Sequence, residues 1–166
     1  MFRSALGLSA LALVASAVPA NAVPVLGHDR FGNLRLGVDH DQAVASGELV
    51  AKPDQAERGC YGYDLKIHPT PENDLDAVVR IGPKSGVYSI AAVPGVRTPE
   101  GIALGSPVAE VVRAYPEAKK HGSAYLVTLD AKVDHWYAIG VADGRQVTSL
   151  FLRGTYKDGT EGGCGR

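Results

Sequence analysis

Tyr61-Gly62-Tyr63-Asp64-Leu65-Lys66-Ile67 alternates large apolar side chains with small or charged ones. Successive side chains of an extended chain point to opposite faces. Tyr61, Tyr63, Leu65 and Ile67 therefore share one side, and Gly62, Asp64 and Lys66 the other. Such a strand is buried on one face, as antiparallel sheets allow. The strand-like run is Cys60–Ile67, and two more follow, Ala77–Ile81 and Val87–Val93, with the turn Gly82-Pro83-Lys84-Ser85-Gly86 between them. Upstream, Leu34-Arg35-Leu36-Gly37 leads into a helical stretch from Asp39 to Ser46. Asp39 and Gln42 have the spacing of a capping box, and Gly47 ends the helix.

A similar order recurs 68 residues later, where Ile102-Ala103-Leu104-Gly105 precedes a helical stretch from Pro107 to Tyr115. Ser106 stands as its cap, Pro107 fits the first turn, and Pro116 ends it. Three strand-like runs follow again, Tyr125–Asp130, Trp136–Val141 and Gln146–Arg153, and Asp143-Gly144 between the last two is a hairpin signal. Val87-Tyr88-Ser89-Ile90 also matches Val147-Thr148-Ser149-Leu150 in layout. The expected fold class is α+β: two related halves, about 31–93 and 99–153, each a short helix followed by a three-stranded antiparallel meander. The helices form one layer and the sheets the other, and 154–166 is a tail.

At Leu36-Gly37-Val38-Asp39 and Leu104-Gly105-Ser106-Pro107 the chain resembles the tandem halves of the β-lactamase-inhibitory-protein-like fold. Halves of that group open with a glycine turn into the helix, and the likeness spans roughly residues 31–153. Neither turn here carries that group's Met-Thr pair, and its cysteine spacing is absent. The segment Gly95-Val96-Arg97-Thr98-Pro99-Glu100-Gly101-Ile102 is similar to one in small secreted bacterial proteins of unknown function. These resemblances imply a fold and export; fold analogy does not carry an activity.

Residues 1–22 read as a cleavable secretory leader. Arg3 supplies the positive start, Ala5–Val18 is uncharged, and Ala20-Asn21-Ala22 offers small residues at the cleavage site. The uncharged stretch is shorter than the roughly 20 residues a spanning helix needs. A single secreted, extracellular domain of residues 23–166 follows. The 17 basic residues fall to 16 once Arg3 leaves, against 18 acidic ones, with no run of either sign. Nucleic-acid binding wants a basic face, so no such partner is expected, and no membrane partner after leader cleavage. Cys60 and Cys164 are the only cysteines. An even number in an exported chain favours a disulfide, which would close a loop of about a hundred residues and stabilise by ~4.7 kcal/mol.

No GxSxG, HExxH or GxxxxGK[ST] motif occurs, and no catalytic residue, metal ligand or cofactor is assigned. Asp39-His40-Asp41 reads as a helix start, which attracts acidic residues. Asp134-His135 would need a nucleophile from Ser89, Ser123 or Ser149, and a small hydrolase assembled from such dispersed residues is the alternative function. The preferred function is a non-enzymatic module that binds or inhibits another protein. In Trp136-Tyr137-Ala138-Ile139-Gly140-Val141, alternation sends Tyr137, Ile139 and Val141 inward. Trp136 is left outward beside Ala138 and Gly140. Trp and Tyr are favoured interface anchors, so Trp136 is the expected centre of a binding shelf, with Tyr88 and Tyr125 as candidate neighbours. Tyr125 has an alternative inward placement beside Val127 and Leu129.

The exported chain is expected to begin at Val23 and to resist thiol alkylation until it is reduced. N-terminal sequencing and alkylation with and without reductant check both points.

Overall fold

The computed structural model describes residues 23–51, 59–69 and 77–154. The expected leader 1–22, Cys164 and almost all of the 154–166 tail lie outside them, and so does the expected Cys60–Cys164 pairing. The described elements are β1 (Arg30–Phe31), β2 (Leu34–Arg35), α1 (His40–Ala45), β3 (Leu49–Ala51), β4 (Tyr61–Leu65), β5 (Val79–Gly82) and β6 (Gly86–Ala91). They continue with α2 (Val108–Ala114), β7 (Lys119–His121), β8 (Ala124–Asp130), β9 (His135–Gly140) and β10 (Ser149–Arg153).

The expected α+β fold of two related halves, each a helix with a three-stranded meander, is not what forms. The chain is mostly β. Apart from the small β1–β2 pair, every strand among the described residues belongs to one antiparallel sheet of eight, in the order β3-β4-β5-β6-β10-β9-β8-β7. Two causes separate expectation from structure. The short strands β3 and β7 escape a reading based on long alternating runs. In addition, β6 pairs directly with β10, Ile90 opposite Leu152 and Ala91 opposite Phe151, which makes the sheet continuous.

One lateral row explains the cohesion of this sheet. Val127, Tyr137, Leu152, Ile90, Val79 and Tyr63 stand opposite one another in turn across six strands. Tyr137, Leu152, Ile90 and Val79 have no exposed surface. Burying side chains of this size is worth about 1.5–3 kcal/mol each.

The helices are too short to form a covering layer. α1 has six residues and buries Ala43; α2 has seven and buries Val111. Loops and the N-terminal segment supply most of the rest, through Leu26, Phe31, Leu34, Leu36, Val93, Val96 and Ile102. Asp39 does form the capping box with Gln42. Ser106 does not cap α2, whose N-cap position is Pro107; its hydroxyl oxygen accepts from the Ala103 N–H at 3.0 Å. Nor does Asp143-Gly144 make a tight hairpin. It lies within the longer link from β9 to β10, where Asp143 Oδ1 accepts from the N–H groups of Arg145 and Gln146.

Segment 37–38 is pinned to β6: Gly37 N–H donates to Val87 O at 2.7 Å and Val87 N–H to Val38 O at 2.8 Å. Gly86 permits this approach. It has φ +64°, and a Cβ there would run into the carbonyl oxygens of Gly37 and Val38. No helix of the described residues is long and apolar enough to cross a membrane.

Leu152→Ala is expected to cost about 3 kcal/mol of folding stability, whereas Val112→Ala, at a position 48% exposed, should cost less than about 0.5 kcal/mol. Urea unfolding midpoints distinguish the two.

Candidate functional site

The binding shelf was expected on the sheet face opposite the core. Over β7–β10 and on to β5, its side chains fall into three lateral rows. One runs Lys119, Leu126, Ala138, Phe151, Ala91. Beside it lie Thr128, Trp136, Arg153, Ser89, Arg80. On the other side come His121, Ala124, Gly140, Ser149. Trp136 and Phe151 are half-buried, and Leu126 is 38% exposed. Between the two rings and beyond them the floor is small: Ala138, Ala124, Gly140 and Ser149. A Cβ on Gly140 would collide with the Ser149 hydroxyl, which fills the space over that glycine. The Arg153 guanidinium sits 4.8 Å from the centre of the Phe151 ring, within cation–π range.

Trp136 thus shares a face with Ala138 and Gly140, and Tyr137, Ile139 and Val141 are buried. Of the two candidate neighbours, Tyr125 lies on the other face and Tyr88 is enclosed. Tyr125 stands opposite Ile139 and so faces the core side, packed against it, with Lys120 Nζ 5.9 Å from its ring. Tyr88 is 4% exposed. It occupies the bulge where the β5–β6 register shifts, and its carbonyl accepts from Gly154 N–H. The in-register neighbours of Trp136 are Thr128 and Arg153. Phe151 and Leu126 escaped the sequence reading, although alternation with buried Leu150, Leu152 and Val127 places both outward.

Asp134 lies in the β8–β9 turn with φ +47°. His135 alternates with Trp136, so it points to the face opposite Ser89 and Ser149, while Ser123 is exposed ahead of β8. The expected alternative partners of Asp134 and His135 are therefore not brought to them. Among the described residues, no three His, Cys, Asp or Glu side chains come together as a metal site.

Histidines appear instead in two aromatic constellations that spacing did not reveal. His40 Nε2 is 2.7 Å from the Tyr63 hydroxyl and Nδ1 is 3.1 Å from Asp41 Oδ1; the ring stacks on Tyr61 with centroids 3.9 Å apart. Burial raises the Tyr63 hydroxyl above its ordinary value, and the nearby Tyr61 adds to this.

The second constellation fastens the N-terminal segment. Leu26 N–H donates to Arg97 O at 2.8 Å, and the Tyr137 hydroxyl reaches the carbonyls of Leu26 and Gly27 at 2.7 and 3.0 Å. His28 Nε2 lies 3.2 Å from Glu100 Oε1. Tyr115 donates its hydroxyl to Glu100 Oε2 at 2.6 Å and lies 2.7 Å from Thr98 Oγ1. Burial drives the Tyr115 and Tyr137 hydroxyls far upward; the Glu100 carboxylate adds to both, and Tyr115 also to Tyr137. Burial alone would raise Glu100, but hydrogen bonds from Tyr115, its own backbone and His28 hold it below the usual range. With Glu100 accepting from His28 and Tyr115, the arrangement reads as a tie between the N-terminal segment, the 98–102 turn and α2, rather than as a nucleophilic centre.

Compared with known proteins, the chain matches no family model, no curated protein and no solved structure.

Glu100→Gln is expected to lower stability at pH 7 by about 1–2 kcal/mol through weakened charge-assisted bonds. A depressed carboxyl pKa contributes stability above the unfolded value and loses it as pH falls through the folded one. The difference from wild type should therefore shrink as pH drops below 4.5, the unperturbed value. Urea titrations across acid pH check this.

Proposed function

We propose that this chain is an exported, extracellular, non-enzymatic module that binds another protein through the outer face of its sheet. The observation carrying this reading is Trp136. Its ring is half-buried on the face away from the core, flanked by Thr128 and Arg153 in register and bordered by Ala138 and Gly140 along its own strand. A large amphipathic ring over a floor of small residues is the geometry of an interface anchor. Phe151 and Leu126 extend the apolar surface to a second row.

Other features support the same role. The leader-like 1–22 segment directs the chain outward. The Cys60–Cys164 bridge, proposed on the same footing, suits an oxidising compartment. A continuous eight-stranded sheet is a rigid platform, and pre-organised surfaces lose less freedom on binding.

The test is retention of a partner from the secreted fraction by immobilised mature protein. Trp136→Ala should weaken binding of the retained partner by about 2 kcal/mol, or about thirtyfold in Kd. Val112→Ala, on the exposed side of α2, should leave it unchanged. A Trp136→Ala protein with an unaltered unfolding midpoint that still holds the partner fully would sink the proposal.

A further inference from the structure

We propose that the chain's own tail, residues 155–166, is the occupant of the outer sheet face over β6 and β5, where it limits access to Trp136. The limiting role rests on the outer-face reading above; the covering role does not. Two neighbouring side chains carry the case. Tyr88 is 4% and Ser89 2% exposed, yet neither packs into the core. Tyr88 is absent from the cluster of core side chains, and Ser89, opposite Arg80 and Arg153 in register, belongs to the outer face. Those two register neighbours do not enclose Ser89: Arg80 is itself exposed, and the Arg153 guanidinium lies over the Phe151 ring. A tyrosine buries about 150–250 Å², so enclosing one away from the core takes a further piece of chain.

The tail starts at that spot. Gly154 N–H donates to the Tyr88 carbonyl at 3.0 Å, and Thr155 follows directly. From Gly154 the ten residues to Cys164 reach at most about 33–36 Å. Cys60, just ahead of β4, is three strand spacings from β10, or about 14 Å. The expected Cys60–Cys164 bridge therefore takes the tail across β6 and β5. It forms as the two thiols give up two protons and two electrons to a disulfide oxidant of the exporting compartment, which leaves as a dithiol. On the core side of this end of β6 the ground is held by Gly37 and Val38, bonded to Val87 and lying against Gly86. The outer face is the other route, and it is the face on which Ser89 is buried.

A cover there bears on binding. At about 4.8 Å per strand and about 3.3 Å per residue, the outer face of β7–β10 offers about 300–400 Å². Each side of a standard protein interface takes roughly 800 Å². β7 is an edge of the sheet, so a protein seated on Trp136 has to spread over β6 and β5. The tail and the partner compete for that ground, and a tethered segment competes at high effective concentration.

Photo-crosslinking in the full mature chain tests the cover. Thr160→p-benzoylphenylalanine places the probe midway along the tail, and its crosslinks are expected to map to β5 and β6. Where that variant alters the unfolding midpoint, Glu161→p-benzoylphenylalanine replaces it. Crosslinks that avoid β5 and β6 would assign the burial of Tyr88 to another segment and overturn the proposal. The limiting role is read with synthetic single-domain antibodies selected on full-length Cys164→Ser, in which the tether cannot form, and kept only if Trp136→Ala abolishes their binding. They should bind the bridged wild-type chain about tenfold or more weakly than Cys164→Ser. Equal binding to both, with the crosslinks as expected, would overturn the limiting role and leave the cover standing. Failure to find any antibody that needs Trp136 would count against the outer-face reading alone, since the crosslinks do not depend on it.

Discussion

Ile90 opposite Leu152 is the contact on which the rest of the structure depends. On one side of it β3–β6 run as successive antiparallel neighbours, and on the other β10 back to β7. Joined at this seam, they align the buried row from Val127 to Tyr63 and present a single apolar surface wide enough to organise everything that covers it. The pairing is demanding because a slip of one residue would turn Leu150 and Leu152 outward and Phe151 inward. Burial of both leucines, at 1% and 0% exposure, enforces the register.

What covers that surface is mostly not helix. α1 and α2 contribute little more than one turn or two each, and the layer is completed by the N-terminal segment, β1–β2 and the loop from Val93 to Ile102. Irregular backbone in such a place must have its polar groups satisfied. The bonds from Leu26 to Arg97, from Gly37 to Val87, from Val87 to Val38, and from Tyr137 to the Leu26 and Gly27 carbonyls do this. The His28–Glu100–Tyr115–Thr98 chain belongs to the same solution. It joins three pieces of covering chain, and an exposed contact such as His28–Glu100 would accomplish little without the buried bonds behind it.

The elements above cover one face; on the other, Ser89 is buried as well, and Trp136 and Phe151 are half-buried. The same register that buries Tyr137 and Leu152 sets Trp136 beside Arg153 and Phe151 beside Ala138. Side chains on a paired sheet have little freedom to rearrange, so this placement of the two rings is fixed by the strand register.

Local alternation is a property of neighbours in the chain, and it was legible: the outward place of Trp136, the inward place of Tyr137, Ile139 and Val141, the capping box at Asp39, and six of the strands. Leu126 and Phe151 were within reach of the same rule, each lying next to residues that end buried. The sequence by itself determined these local choices because strand pleat and helix capping act over two to four residues. Only the tertiary structure decided that β6 meets β10, that β3 and β7 extend the sheet, that Tyr88 is enclosed, and that His28 finds Glu100 seventy-two residues away. Those outcomes depend on which strands become neighbours, and the energy that selects them comes from burial summed across the whole sheet rather than from any one segment's pattern.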